Sequence, residues 1–435
     1  MLRAWEEEAR SCRCRCSHRW KNDVHGLAQL VMCSSPMEKG FWSIVILACI
    51  VCAAIFTTLS VQVSRLLLPS LVLCPKNPDA FHEDVVFQDY LRSLPNATFG
   101  EFSRLMQYFI AGSGFDNSDL HQNMKAAEEE GILANYSKWR RNRTQDEMFR
   151  FVYVDNGFAC EELLVECRRG AHRIDCCKTF QPTFVQLRGR CMRLGEYWQS
   201  DYDEAQKLTV FARPVRSRIL SSSGFSSQVI AYMGDDYPEV SITPRFYVNK
   251  GEYHRLRLNR KKKMLLPERG ECSTEPQGKA TCFIHKWIDA WFVRPFHCTL
   301  PYYPLLLPSM EGIPVCELRD VVSVYFRLIS SGYEQFKCLP GCSANEDLIE
   351  VRSAPIIVKA NSTPTQQESS FRIEMSYTFL EMEEYSEVRT TTWPGFISEL
   401  GGQFALFLGL SVVTLVQIAK GAINVVASAI ERSLF

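Results

Sequence analysis

Two uncharged apolar stretches lie near opposite ends of this 435-residue chain. Residues 41–64 contain no Asp, Glu, Lys or Arg, and neither do residues 400–419. Each stretch is long enough to cross the roughly 30 Å hydrocarbon core of a bilayer as a helix. The sequence therefore predicts two membrane spans with a large domain between them.

The region between the stretches has the marks of an oxidising compartment. Twelve of the 18 cysteines lie there, and an even number in one compartment indicates disulfides. The N-x-S/T acceptor pattern for N-linked glycans also occurs only there, which places this region in the lumen or outside the cell. The glycan acceptors are Asn96, Asn135, Asn142 and Asn361. The disulfide candidates are Cys74, Cys160, Cys167, Cys176, Cys177, Cys191, Cys272, Cys282, Cys298, Cys316, Cys338 and Cys342.

These signals predict a multi-pass protein of the plasma membrane with both termini in the cytoplasm. The first span begins too late and runs too long for a cleaved signal peptide, so we expect an uncleaved signal anchor. The predicted parts are a cytoplasmic N-terminal arm, a first transmembrane helix, a disulfide-rich, N-glycosylated extracellular domain, a second transmembrane helix and a cytoplasmic tail. Their bounds are 1–40, 41–64, 65–398, 399–420 and 421–435.

The extracellular region has the pattern of an α+β domain. Residues 87–150 are charged and helical in character, whereas residues 217–248 and 351–380 favour strands. The alternation from Phe371 to Phe379 predicts a strand that returns to the membrane. We expect a central sheet built from distant segments, with two disulfide-stapled helical subdomains. The basic run 260–263 is interpreted as a solvated loop.

Several function classes are excluded. The formal net charge is zero and the topology places the basic run outside the cell, so no nucleic-acid partner is expected. The chain has no nucleophile-elbow, zinc-protease or phosphate-loop motif, and its eight histidines form no ligand pattern, so we expect no enzyme, metal site or cofactor. The triplet Cys12-x-Cys14-x-Cys16 is either a lipidated or metal-binding cluster or a set of free thiols in a disordered tail.

The second stretch differs from an ordinary membrane anchor. Its glycines reduce helix stability and allow close backbone approach, and its polar side chains lie at a depth where lipid offers no hydrogen-bond partner. One polar helix face per chain implies that several chains meet around an axis. That face either lines a water-filled path or packs helices together without a pore. The residues concerned are Gly401, Gly402, Gln403, Gly409, Ser411, Thr414 and Gln417.

Six motifs in order resemble the degenerin / epithelial sodium channel / acid-sensing ion channel family, in its invertebrate type. The segment SELGGQFALFLGLS at 398–411 resembles the second membrane helix of that family, and His25-Gly26 matches a pair that precedes the first. The segment LPSLVLCPKN at 68–77 is similar to the motif that follows the first helix. The spacing of the cysteines at 157–191, 298–304 and 338–342 resembles the remaining pattern.

The resemblance implies a subunit of a trimeric, sodium-preferring and amiloride-sensitive cation channel. Its extracellular domain would have a central β-sheet with helical finger and thumb subdomains. Gly409, Leu410 and Ser411 would form the selectivity filter, where backbone carbonyls and a hydroxyl replace the hydration shell of a cation. His25 and Gly26 would line the cytoplasmic pore entry. The permeant ion would be Na⁺, with no bound cofactor.

Four further residues take roles at the pore mouth and in gating from the same resemblance. Ser398 matches a position where bulky residues hold degenerins open, and Ala405 matches a position associated with amiloride block. Glu399 would concentrate cations at the outer mouth. Gln417 stands where the family usually has Glu, which predicts lower conductance or weaker sodium preference.

The resemblance also guides the disulfides and the partners. We expect Cys74 to pair with Cys191 and the other cysteines to pair within their own blocks. Lys286 and Phe336 occupy positions where the family often has cysteines, so the thumb would have fewer disulfides. The chain would form homo- or heterotrimers with related subunits in the membrane, gated by an extracellular ligand, proton or force. The alternative is a non-conducting accessory subunit, or a receptor or adhesion ectodomain with a trimerising anchor.

Overall fold

The computed structural model describes most of the region between the two predicted spans. The described residues are 36, 39–40, 43–48, 50–51, 65–117, 124–234, 244–274, 279–307, 310–330, 336–356, 371–389, 393–408, 417–426 and 430. The chain divides into two compact units, Met1–Arg65 and Leu66–Phe435. In the first unit, residues 43–48 and 50–51 are helical. All further description concerns the second unit.

A first helical block lies between strands in the chain and is built around aromatic side chains. The helices are α1 Glu83–Ser93, α2 Phe99–Gly112, α3 Ala126–Arg140 and α4 Gln145–Phe149, which continues as a π-helical turn over Arg150–Asp155. Trp139 from α3 lies edge-on to Tyr90 from α1, with ring centroids 5.8 Å apart, and both are fully buried. Edge-to-face pairs of this kind add to the free energy gained by burial.

The strands lie only partly in the segments for which the sequence predicts strands. They are β1 Leu66–Leu67, β2 Ser70–Pro75, β3 Leu164–Arg169, β4 His172–Ile174, β5 Phe180–Val185, β6 Gly189–Leu194, β7 Trp198–Gln199, β8 Leu208–Ala212, β9 Gln228–Gly234, β10 Arg245–Asn249, β11 Glu252–Met264, β12 Ser343–Pro355 and β13 Phe371–Ser386. Short helices α5 Cys160–Leu163 and α6 Cys176–Thr179 flank β3 and β4, and a 3₁₀ turn spans Asp203–Ala205.

These strands form two larger sheets and a short ribbon rather than one central sheet. The five-stranded sheet has the order β10-β9-β2-β6-β5, the six-stranded sheet has the order β12-β11-β13-β8-β3-β4, and β1 pairs with β7. Apolar side chains from both larger sheets, such as Leu73 and Ile373, belong to one buried cluster. The strand predicted over 371–379 is confirmed, and Phe371, Ile373, Met375 and Tyr377 are all buried, whereas Phe379 is exposed.

A second helical block is inserted between the antiparallel neighbours β11 and β12. Its helices are α7 Lys279–Ile288, which continues as a π-helical turn over Asp289–Val293, then α8 Arg294–Phe296, α9 Tyr303–Leu306 and α10 Leu318–Ser330, and a 3₁₀ turn spans Pro267–Arg269. The Cys272–Cys342 disulfide closes the base of this insertion. Beside it, the N–H of Leu265 donates to the carbonyl of Cys342 at 2.7 Å.

The twelve cysteines between the predicted spans form six disulfides. The expected pair Cys74–Cys191 is present, with Cα atoms 4.4 Å apart. The other bonds lie within their own blocks, as expected: Cys160–Cys177, Cys167–Cys176, Cys272–Cys342, Cys282–Cys338 and Cys298–Cys316. The α+β class with a disulfide-rich domain is therefore confirmed.

Two further expectations about this domain are wrong. The first helical block is not stapled by disulfides, because the chain has no cysteine from residue 75 to residue 159 and the block is held by its aromatic core instead. The basic run 260–263 is not a solvated loop. It forms the second half of β11, which pairs along that half with β12 on one side and β13 on the other.

The second predicted span begins with a helix. Helix α11 covers Trp393–Leu408, and residues 417–426 are also helical. Among the described residues, none of the helices combines the length and the apolar character that crossing a bilayer requires.

Candidate functional site

The candidate site lies where the six-stranded sheet leads into α11. Strand β13 ends at Ser386, and the next residues are bonded to the loop that follows β11. The backbone N–H of Glu387 donates to the carbonyl of Met264 at 2.8 Å. The carboxylate of Glu387 accepts from the N–H of Leu266 at 2.9 Å. The loop after β11 is also the entry to the second helical block, so that block and the start of the second span are bonded to the same segment.

An exposed ion pair extends this connection towards the helix. Arg389 lies four residues before α11 begins, and its guanidinium pairs with the carboxylate of Glu268. Exposed ion pairs of this kind contribute little to stability. The pair adds an exposed contact to the two hydrogen bonds that Glu387 makes with the same segment.

The basic half of β11 is neutralised by carboxylates on both neighbouring strands. Lys261 and Lys262 pair with Glu383 and Glu384 of β13, at 3.1 and 3.6 Å. On the other side, Asp347 and Glu346 of β12 pair with Arg260 and Lys263 of β11. Opposite charges on facing positions stabilise a strand pair. Strands β11, β12 and β13 are therefore joined by ion pairs as well as by backbone hydrogen bonds.

Tyr377 connects the strand that follows the first predicted span with the strand that precedes the second. Its hydroxyl oxygen lies 3.0 Å from both the carbonyl oxygen of Leu67 in β1 and the carboxylate of Asp347, and its single proton is shared between these two acceptors. Its backbone N–H donates to the side-chain oxygen of Gln199, in the strand that pairs with β1, at 2.9 Å. Burial, and next the Asp347 charge, raise the pKa of Tyr377 well above its usual value, so the hydroxyl remains a donor at physiological pH.

The predicted residues of α11 are exposed in the single chain. Ser398, Glu399 and Ala405 all have exposed side chains, as does Gln417 in the helix that follows. Apolar neighbours are exposed too: Trp393 is 77% and Ile397 is 64% exposed. A Cβ atom added to Gly401 or Gly402 would meet no other atom within 4 Å. An apolar helix with so much exposed surface requires lipid or other chains to cover it.

Several predicted site residues lie outside the described part of the chain. They are His25, Gly26, Gly409, Leu410, Ser411 and the glycan acceptor Asn361. The roles given to them, and to Ser398, Glu399, Ala405 and Gln417, stay predictions. The remaining acceptors, Asn96, Asn135 and Asn142, lie in the first helical block. Among the described residues, no group of acidic, histidine or cysteine side chains is arranged to bind a metal ion.

The charged strand and the Glu387 connection are features that sequence reasoning missed. A signal was present, because three of the four residues 381–384 are acidic, which is opposite in charge to the basic run 260–263. Two long strands with complementary charge favour each other as neighbours. The contacts of Glu387 had no comparable signal, since both of its partners there are backbone groups.

The family model described as amiloride-sensitive sodium channel matches residues 21–420 of the chain. A comparison with curated proteins found no match. The matched range covers most of the chain and contains both predicted spans, the twelve paired cysteines and the candidate site. The chain thus belongs to the amiloride-sensitive sodium channel family and is a sodium channel subunit of the degenerin, epithelial sodium channel and acid-sensing channel kind.

Proposed function

We propose that three copies of this chain, or of this chain and related subunits, enclose a sodium-preferring and amiloride-sensitive path across the plasma membrane. The observation that carries the proposal is the exposure of α11. Its large apolar side chains are exposed in the single chain, and no other atom lies within 4 Å of a Cβ placed at Gly401 or Gly402. Helices that pack closely in membranes use small residues of this kind at their contacts. Gly409, Leu410 and Ser411 form the constriction in this proposal, and in the sequence they directly follow Leu408, the last residue of α11.

The proposal includes a mechanical connection from the extracellular domain to the helix. A stimulus that moves the second helical block displaces the loop at Leu266 and Glu268, which is bonded to Glu387 and Arg389. Tyr377 opposes this displacement, because it holds β13 to β1.

Recording from cells that express the chain tests the proposal. We expect a cation current that amiloride reduces and that Ser411→Ala or Gly409→Ala abolishes or makes less selective for sodium. Val413→Ile in the same predicted span is the matched control, because it retains a β-branched apolar side chain. Surface biotinylation of every variant separates loss of conduction from loss of delivery. Currents that are identical in the Ser411, Gly409 and Val413 variants contradict the assignment of the constriction.

A second candidate function is that of a non-conducting subunit which modifies a related channel. Gln417 favours this candidate, because the exposed amide occupies a position where the family usually has a carboxylate. Co-expression with a conducting family member distinguishes the two functions. The accessory function predicts no current from this chain alone, and an altered current with co-purification when both chains are present.

A further inference from the structure

Three of the glycan acceptor patterns lie among the described residues, and two of them share a local structure that the one at Asn135 lacks. Asn96-Ala-Thr98 is followed by Glu101, and Asn142-Arg-Thr144 is followed by Glu147, so both have the form N-x-T-x-x-E. In each case the asparagine lies in an exposed turn just before a helix. The hydroxyl-bearing threonine has an extended backbone, with ψ of 158° at Thr98 and 169° at Thr144.

The threonine of each pattern also caps the helix that follows. The hydroxyl of Thr98 accepts from the N–H of Glu101 at 3.2 Å, and the Glu101 carboxylate accepts from the N–H of Thr98 at 2.7 Å. Thr144 and Glu147 make the same two bonds at 3.2 and 2.6 Å. Such a capping box fixes where a helix begins. The helix therefore starts three residues after the glycan acceptor, and the acceptor side chain remains outside it.

Asn135 has a different environment. It lies within α3, is half-buried, and has the buried side chains of Tyr136 and Trp139 next to it on the helix. Residues separated by two positions do not face each other on a helix, so Asn135 and Ser137 are not presented together. A bulky, hydrophilic sugar chain at Asn135 would leave the helix beside the aromatic core.

The two exposed acceptors lie at the same end of the first helical block. Arg141, next to Asn142, donates from Nε to the hydroxyl of Ser93 at 2.9 Å, and Ser93 is three residues before Asn96. A second set of hydrogen bonds joins the same two segments, because Asp89 of α1 accepts from Trp139 at 2.9 Å and from Arg143 at 2.9 Å. The two turns are thus held side by side.

We propose that Asn96 and Asn142 carry N-linked glycans and Asn135 does not, so that two adjacent sugar chains cover this end of the first helical block. The cover makes this surface unsuitable for contact with another subunit or a protein ligand, which must bind elsewhere. The proposal does not depend on whether the chain conducts ions.

Enzymatic removal of glycans in heavy-oxygen water tests the occupancy directly on the full-length protein from animal cells. An occupied asparagine becomes an aspartate that carries one heavy oxygen, which peptide mass spectrometry detects. We expect most copies to be converted at Asn96 and Asn142 and most to be unconverted at Asn135. The proposal is overturned if most copies are unconverted at Asn96 or at Asn142, or if most copies are converted at Asn135.

Labelling tests the cover. Arg92→Cys places a thiol on the exposed side chain next to Ser93, and Lys250→Cys places the control thiol in an exposed turn between β10 and β11. We expect a bulky maleimide to label the thiol at 92 faster after glycan removal, with no change at 250. If glycan removal leaves the labelling rate of the thiol at position 92 unchanged, the sugar chains do not cover this surface. Asn96→Gln with Asn142→Gln should reproduce the effect, since both changes leave the threonine caps intact.

Discussion

Arg260 and Asp347 form a two-point ion pair between neighbouring strands, with Nε to Oδ1 at 3.0 Å and Nη2 to Oδ2 at 2.9 Å. The side chains are only 11% and 12% exposed. Asp347 also accepts from the Tyr377 hydroxyl, and the Arg260 guanidinium lies 5.3 Å from the centre of the Tyr377 ring. The pair is therefore part of the cluster that joins β11, β12 and β13 with the strand after the first span.

Removing one member of this pair is expected to destabilise the domain strongly. Asp347→Asn leaves the Arg260 guanidinium largely buried without its counter-charge, which should lower the free energy of unfolding by about 3 kcal/mol. Denaturant titration of the purified protein, followed by tryptophan fluorescence, measures the loss.

The exposed pair of Arg352 with Glu350 on β12 provides a matched control. Its side chains are 62% and 52% exposed, so Arg352→Ala should cost less than about 1 kcal/mol. Equal losses from Asp347→Asn and Arg352→Ala would show that burial does not control the strength of these pairs.

The basic run shows why part of this fold was not predictable from local sequence. Four consecutive basic residues in isolation favour solvent, and no property of the run itself indicates a strand that is paired on both sides. The strand forms because β12 and β13 supply carboxylates, and Asp347 is 87 residues away from Arg260. In contrast, the alternation from Phe371 to Tyr377 is a local signal, and it correctly predicted a strand whose apolar side chains are buried.

Gly112 and Gly131 are expected to respond in opposite directions to the same substitution. A Cβ atom at Gly112 would lie 2.7 Å from a methyl carbon and 3.0 Å from the Cα of Leu318, where the two helical blocks pack together. Gly112→Ala should therefore cost about 1–3 kcal/mol through overpacking. The added methyl group of Gly131→Ala meets nothing within 4 Å inside α3 and should stabilise the domain by about 1 kcal/mol.

Unfolding titrations of the two alanine variants test this contrast. Because the substitution is identical, a difference in sign reports the space around each glycine rather than a general effect of alanine. A neutral Gly112→Ala would mean that Leu318 moves away without loss, and that the contact between the helical blocks tolerates an added methyl group.

Asp79 is expected to make the domain more stable in mild acid. Burial raises the pKa of Asp79 above its usual value, although its carboxylate accepts from the N–H groups of Ile219 and Leu220 at 3.0 and 2.8 Å. A carboxyl with a raised pKa in the folded protein contributes stability that is complete below the unfolded-state pKa and is lost as the pH rises through the folded-state pKa. Falling pH therefore adds stability in this window.

Asp79→Asn should remove that part of the pH dependence while keeping an acceptor for both N–H groups. Unfolding midpoints measured at several pH values, from neutral down to the usual pKa of Asp, follow the effect. Glu374→Gln is the comparison, because burial would raise the pKa of Glu374 but Tyr253, Arg372 and Lys207 together lower it. Glu374 should not titrate in the same window, so its variant should keep the rise in stability that Asp79→Asn loses.

The candidate site was only partly predictable. The resemblance of residues 398–411 to a membrane helix of the family predicts the second span, and the family model matches these residues. The bonds that precede this predicted span join Glu387 to backbone groups at the end of β11 and in the loop after it, and backbone partners leave no trace in residue types. Tyr377 is similar, since its contact with Leu67 joins residues 310 positions apart.

Gln417 provides the most direct test of ion selectivity. A carboxylate near a narrow pore raises the local concentration of cations, and its replacement by an amide removes that effect while keeping the shape. Gln417→Glu should therefore increase the single-channel conductance and shift the reversal potential towards that of sodium. Asn424→Asp adds a carboxylate farther along the same helix, beyond the expected constriction, and should have a smaller effect. Strong sodium selectivity in the unmodified chain, or equal effects of the two substitutions, would contradict the importance given to the residue at 417.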